Sequence, residues 1–78
     1  MDLNPFTNKD KDNEEKEKLA AILENSKEME EELMRTYLIT AERIHDNDVL
    51  KERLENFAQG NAKRTKQLMD ELNNLTDK

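Results

Sequence analysis

The stretch from residue 54 to residue 75 places five apolar side chains on one helix face, and this spacing constrains the fold most. The positions recur at alternating steps of three and four residues, the period of an amphipathic α-helix. They are Leu54, Phe57, Leu68, Leu72 and Leu75. Two polar residues, Asn61 and Arg64, occupy the positions that complete the series. Because a polar group on a buried face is costly without a partner, we expect the rest of the chain to supply one.

An earlier segment repeats the same period without an intervening proline or glycine. Its face positions are Leu19, Ile22 or Leu23, Ser26, Met29 or Glu30, Leu33, Tyr37, Thr40 or Ala41, and Ile44. Asp12 followed by Glu15 is a capping-box pattern, which predicts a helix over residues 13–46 that starts near Asp12 or Asn13. Residues 1–12 hold few apolar side chains, so we expect a flexible, charged N-terminal arm there.

The sequence His45-Asp46-Asn47-Asp48 predicts the turn between the two helices. Asn47 tolerates the left-handed backbone of a helix C-cap, and Asp48 is suited to cap the helix that follows. The second helix is expected over residues 49–75. Gly60 lies inside it, and we interpret this glycine as a close backbone contact within a continuous helix. The alternative is a break at Gly60, with Asn61 capping a third helix.

A short connection makes the two helices antiparallel neighbours, so the fold class is an all-α helical hairpin. Folding the chain about residue 47 sets Tyr37 near Phe57 and Glu30 near Arg64. The only acid of the first apolar face then lies opposite the only base of the second. We therefore predict a buried polar group formed by Glu30, Asn61 and Arg64, with an ion pair between Glu30 and Arg64.

A lone hairpin leaves part of its apolar surface uncovered. The side chains that one partner helix would not cover are Met34, Leu38, Ile39 and Met69. Two hairpins that pair into a four-helix bundle would cover these residues and enlarge the core. The sequence therefore predicts a homodimer, with these four residues as candidates for its interface.

Composition narrows the class of protein. Charged residues make up 41% of the 78 positions and the net charge is −6, which argues against binding of nucleic acid. There is no cysteine, so disulfides and thiolate metal sites are excluded. The sequence contains no apolar run long enough to span a bilayer and no secretory signal pattern. We expect a cytoplasmic protein that does not associate with membranes.

The pattern resembles half of a ferritin-like four-helix bundle, as in encapsulated ferritins and the repeats of rubrerythrins. In that family a first-helix Glu precedes an aromatic residue by two turns, and the second helix carries Glu-x-x-His. Glu30 and Tyr37 match the first pair, whereas Asn61 and Arg64 stand where the second-helix Glu and His belong. The resemblance implies a ferritin-like scaffold whose di-iron site is lost, because Asn is a poor iron ligand and Arg a permanent cation.

A second candidate site is the literal Glu-x-x-His formed by Glu42 and His45, a weak metal-binding pattern if both lie on one helix face. No catalytic residue and no cofactor are predicted, since the lone His45 is far from any serine nucleophile. The leading hypothesis is a non-enzymatic interaction or structural protein that pairs with itself and could also bind another protein. The alternatives are a ferritin-like protein that binds iron or zinc, and an acidic inhibitor or nucleic-acid mimic.

Overall fold

The chain forms an antiparallel helical hairpin in a computed structural model that describes residues 9–76, with side chains from residue 13 to residue 75. Within these residues the elements are α1, Lys9–Glu42, and α2, Asp48–Thr76, joined by residues 43–47. Extensive contacts join the two helices. The predicted all-helical hairpin is confirmed. Its pairing into a four-helix bundle stays a prediction.

The hairpin is a rod. Its principal dimensions are 63 × 20 × 16 Å and its radius of gyration is 18.3 Å. A compact domain of this length would have a radius of gyration of about 11.5 Å. Each helix therefore has at most one neighbour, and most of its circumference faces outward.

Helix α1 begins and ends about four residues earlier than the sequence predicted. It starts at Lys9 rather than near residue 13, so four positions assigned to the flexible arm are helical. The remaining part of that predicted arm, residues 1–8, lies outside the described residues. At the other end α1 stops at Glu42 rather than residue 46. There the amides of Arg43 and Ile44 bond the carbonyls three residues back, at 3.0 and 3.2 Å, and these tighter bonds close the helix.

Asn47 caps the start of α2 rather than the end of α1. Its Oδ1 accepts a hydrogen bond from the Leu50 amide at 3.0 Å, and its carbonyl oxygen accepts one from the Lys51 amide at 3.0 Å. This is the geometry of an N-cap. The predicted left-handed C-cap is wrong, since no non-glycine residue in the described part of the chain has a positive φ. Asp48 becomes the first helical residue, where its negative charge suits the helix dipole.

Helix α2 is continuous through Gly60, as the sequence favoured. The predicted reason was wrong, however. A Cβ atom built on Gly60 would meet the Arg64 guanidinium, with Nη1 at 3.4 Å, and would meet no backbone of α1. The glycine therefore leaves room for the Arg64 side chain to lie along its own helix.

The two helices meet along a line of residues that differs in part from the predicted face. Ala41, Ala58 and Asn61 are the buried residues in the described part of the chain. Phe57, predicted at the centre, is half exposed and lies at the edge, where its ring contacts Tyr37 at a centroid distance of 5.5 Å. Helix α2 is turned so that Ala58 and Thr65 enter the contact instead. Small residues there let the two backbones approach closely.

Candidate functional site

A polar cluster lies midway along the rod, where α1 and α2 exchange side-chain hydrogen bonds. Asn61 Nδ2 donates to Glu30 Oε1 at 2.6 Å, and Arg64 Nε donates to Glu30 Oε2 at 3.0 Å. The ion pair predicted between Glu30 and Arg64 is confirmed. One carboxylate of α1 is thus held by two consecutive turns of α2, which fixes the axial register of the hairpin.

The three members of the cluster differ in burial, and in this respect the prediction of a buried group was partly wrong. Asn61 is 2% exposed, and the Glu30 side chain is 21% exposed. The Arg64 side chain is 54% exposed, because it lies on the outer edge of the helix contact over Gly60. An ion pair exposed on one side contributes less than a buried one. Asn61, rather than Arg64, is therefore the partner on which Glu30 chiefly depends.

The Asn61 amide has the largest influence on the Glu30 carboxylate. Its hydrogen bond lowers the pKa of Glu30 below the ordinary value of 4.5, and the hydrogen bond and positive charge of Arg64 lower it further. Partial burial opposes this shift because it disfavours the charged form. Since the net shift is downward, Glu30 is an anion at neutral pH and stabilises the folded state in that form.

The cluster also has a cost. Asn61 Oδ1 and Thr65 Oγ1 are buried without a hydrogen-bond partner among the described residues. An unpaired buried polar atom opposes folding. A polar cluster that stabilises the fold only partly is typical of residues that specify register. The geometry of the cluster aligns the two helices, and the cluster contains no nucleophile hydrogen-bonded to a base.

Beside the cluster lies a group of exposed apolar side chains on one side of the hairpin, which we call the open face. It consists of six side chains that are each 41–66% exposed: Leu19, Ile22, Met29, Leu33, Leu50 and Phe57. A groove between the helices is lined by Leu33, Phe57 and Arg64, which places these residues on one side. A second groove on that side is lined by Leu19, Ile22 and Glu71. The periodicity of the sequence places these residues on the apolar face of a helix, but it does not show which of them the other helix leaves uncovered.

The four interface candidates chosen from the sequence lie elsewhere. Leu38, Ile39 and Met69 are exposed, and Met34 is half-buried. Leu38 follows Leu33 by five residues, which turns it about 140° around the helix and away from the open face. Ile39 lies a further 100° or so around the same helix. Leu38 and Ile39 therefore do not form one patch with the open face, and the choice of the four residues as an interface stays a prediction.

The second candidate site, Glu42 and His45, is not assembled as predicted. Glu42 is the last residue of α1, and His45 lies in the loop beyond it, so the two do not share a helix face. Both side chains are exposed. No group of three or more His, Cys, Asp or Glu side chains in the described part of the chain is placed to hold a metal ion.

Comparisons with known proteins do not assign this chain to a family. No family model, no curated protein and no solved structure matches this chain significantly. The ferritin-like resemblance therefore stays a prediction from the sequence. Among the described residues, neither helix has an apolar stretch long enough to cross a membrane.

Proposed function

We propose that this protein is a non-enzymatic interaction or structural protein whose working form is a homodimer, two hairpins paired into a four-helix bundle. The proposed scaffold is ferritin-like in outline, with the polar cluster of Glu30, Asn61 and Arg64 in place of a di-iron site. In this role the hairpin supplies surface and alignment rather than chemistry.

One observation carries the proposal: the single hairpin has a thin apolar core. Among the described residues Ala41 and Ala58 are the fully buried apolar ones, larger side chains of the helix contact such as Leu23, Leu54 and Leu72 are half-buried, and six large apolar side chains share the open face. Soluble monomers rarely expose an apolar patch larger than a few hundred Å². Ordering the backbone of two long helices costs about 1–2 kcal/mol per residue, and side chains that are only half-buried offset this cost in part. A second layer of helices supplies the missing core.

The dimensions of the rod fit this pairing. A stable interface buries about 800 Å² on each partner. The broad side of the hairpin measures 63 by 20 Å, which is more than enough surface for an interface of that size. Because the open face is apolar along α1 and near the turn of α2, those parts of the area are of the kind that association covers favourably.

If folding and pairing are coupled, thermal stability depends on protein concentration by mass action. We expect the melting temperature, followed by far-ultraviolet circular dichroism, to rise by several degrees over a roughly hundredfold increase in concentration. A monomeric helical protein of similar length serves as the control, and its melting temperature should not change with concentration. A melting temperature that is independent of concentration would contradict the proposal.

A further inference from the structure

We infer that two copies pair antiparallel through the open face, with α1 on the partner's α1 about Ser26 and α2 on the partner's α2 about Gln67. The inference rests on the proposed homodimer and specifies its interface. A two-fold axis perpendicular to the rod and lying in the interface would pass beside both of these residues, so that each surface patch meets its own copy.

The apolar part of the open face is nearly symmetric about Ser26. Leu19 lies seven residues before Ser26 and Leu33 lies seven after it. Ile22 precedes Ser26 by four residues and Met29 follows it by three. When one copy of α1 is reversed and laid on another, Leu19 meets the partner's Leu33 and Ile22 meets the partner's Met29. All four side chains are at least 43% exposed in the single hairpin, and this arrangement buries them against each other.

The exposed charges on α2 are self-complementary about Gln67, and two of them, Arg64 and Glu71, line the grooves of the open face. Lys63 and Arg64 precede Gln67 by four and three residues, and Asp70 and Glu71 follow it by three and four. All four charged residues are exposed, and two of them also form ion pairs within the hairpin, Arg64 with Glu30 and Asp70 with Lys66. Reversal of one copy about Gln67 sets the two bases opposite the partner's two acids, which favours this alignment over others.

The two centres lie at the same height on the rod, so one axis serves both. Glu30 bonds Asn61, and Tyr37 contacts Phe57. Because the helices are antiparallel, each step back along α1 from these pairs matches one step forward along α2. Ser26 is therefore level with residues 65 to 68. Gln67 falls within that range. The apolar symmetry of α1 and the charge symmetry of α2 are independent features of the sequence, and their centres coincide.

The other way to stack two hairpins is less favourable. A two-fold axis along the rod would lay α1 on the partner's α2 at the same height. Leu19 and Ile22 would then face the partner's Glu71 and Asn74, since these residues line one groove within a hairpin and share its height. Covering a carboxylate with apolar side chains and no counter-charge is costly. The antiparallel arrangement avoids this contact.

The chain has no cysteine, so single thiols can report which surfaces meet. In the full-length protein, Ser26→Cys places a thiol on the proposed axis, next to its own copy. We expect a short bismaleimide to convert most of this variant to a covalent dimer at low micromolar concentration. Leu38→Cys is the matched control: it is on α1 and exposed, but it lies off the open face. It should stay largely monomeric on a denaturing gel.

The outcomes separate the inference from the proposed function when each variant's native mass is measured. A dimeric mass with cross-linking at Leu38→Cys instead, or at neither position, would overturn the antiparallel interface and leave the homodimer standing. A monomeric mass for the unmodified protein would overturn both. Cross-linking of Ser26→Cys in a dimer supports both.

A charge exchange tests the axis without cross-linking. Glu71→Lys sets a lysine opposite the partner's Lys63 twice in each dimer, and we expect the dissociation constant to rise roughly five- to tenfold at low salt. Adding Lys63→Glu restores opposite charges across the axis and should return the constant close to that of the unmodified protein. Residues 63 and 71 are too far apart on one helix to interact directly. If the effects of the two substitutions on the dissociation constant were simply additive in free energy, the proposed alignment would be overturned.

Discussion

The Asn61→Asp substitution is expected to destabilise the protein by about 3 kcal/mol at neutral pH. The change keeps the size of the side chain but replaces the amide that donates to Glu30 Oε1 at 2.6 Å with a second carboxylate. Because Asn61 is buried and Glu30 is only partly exposed, water screens the repulsion between the two acids weakly. The free energy of unfolding, from urea denaturation at fixed protein concentration, measures the effect.

The pH dependence of this variant should be opposite in sign to that of the unmodified protein. The folded-state pKa of Glu30 is lowered, so its contribution to stability is present above its ordinary pKa of 4.5 and is lost as the pH falls below that value. In the variant the adjacent acids share a proton, which raises the pKa of the pair. Stability is then regained as the pH falls from neutrality towards 4.5.

Asn61→Ala is the control for the loss of the hydrogen bond alone. It removes the donor without adding a charge and should cost about 2 kcal/mol at neutral pH, with no gain on acidification. If the aspartate and alanine variants behaved alike at both pH values, residue 61 would not contact Glu30 in solution. The register of the hairpin would then be wrong.

Replacing both Ile22 and Met29 by Glu is expected to abolish dimer formation at micromolar concentration. Each copy loses two apolar side chains from the centre of the open face, and four carboxylates come together across the interface. At 1.5–3 kcal/mol for each apolar side chain, the dissociation constant should rise about a thousandfold or more. Sedimentation velocity measures the change in mass.

The control variant has the same change in charge, but at two of the residues that the sequence alone predicted for the interface. Leu38→Glu with Ile39→Glu places two acids on exposed positions of α1 away from the open face. This pair should leave the mass of the protein unchanged. If it dissociated the dimer and the Ile22 and Met29 variant did not, the interface would be the one built from Met34, Leu38, Ile39 and Met69.

Sequence periodicity is sufficient to predict the hairpin and the contact between Glu30 and Arg64. A turn of fixed length determines which residues of two antiparallel helices lie opposite each other. An acid and a base that lie opposite each other can therefore be paired from their positions in the chain. The rotation of α2 cannot be predicted in the same way. Phe57 and Ala58 are adjacent in sequence, and apolar size favours Phe57 for the core, whereas close approach of two backbones favours Ala58.

The remaining errors have local causes. Asn47 is suited both to end one helix and to begin the next, and the earlier end of α1 at Glu42 decides for the second role. The open face was missed because the sequence shows how wide an apolar stripe is, but the rotation of each helix decides which part of it stays uncovered. Phe57 and Leu50 are exposed on the open face, whereas Leu38, which is also exposed, lies farther around α1.

If the hairpin is half of a structure that a second copy completes, the solution mass must show it. Light scattering of the full-length protein over a series of concentrations measures this mass. We expect a stable mass of twice 9.2 kDa at micromolar concentration and above. A mass of 9.2 kDa throughout the series would contradict it.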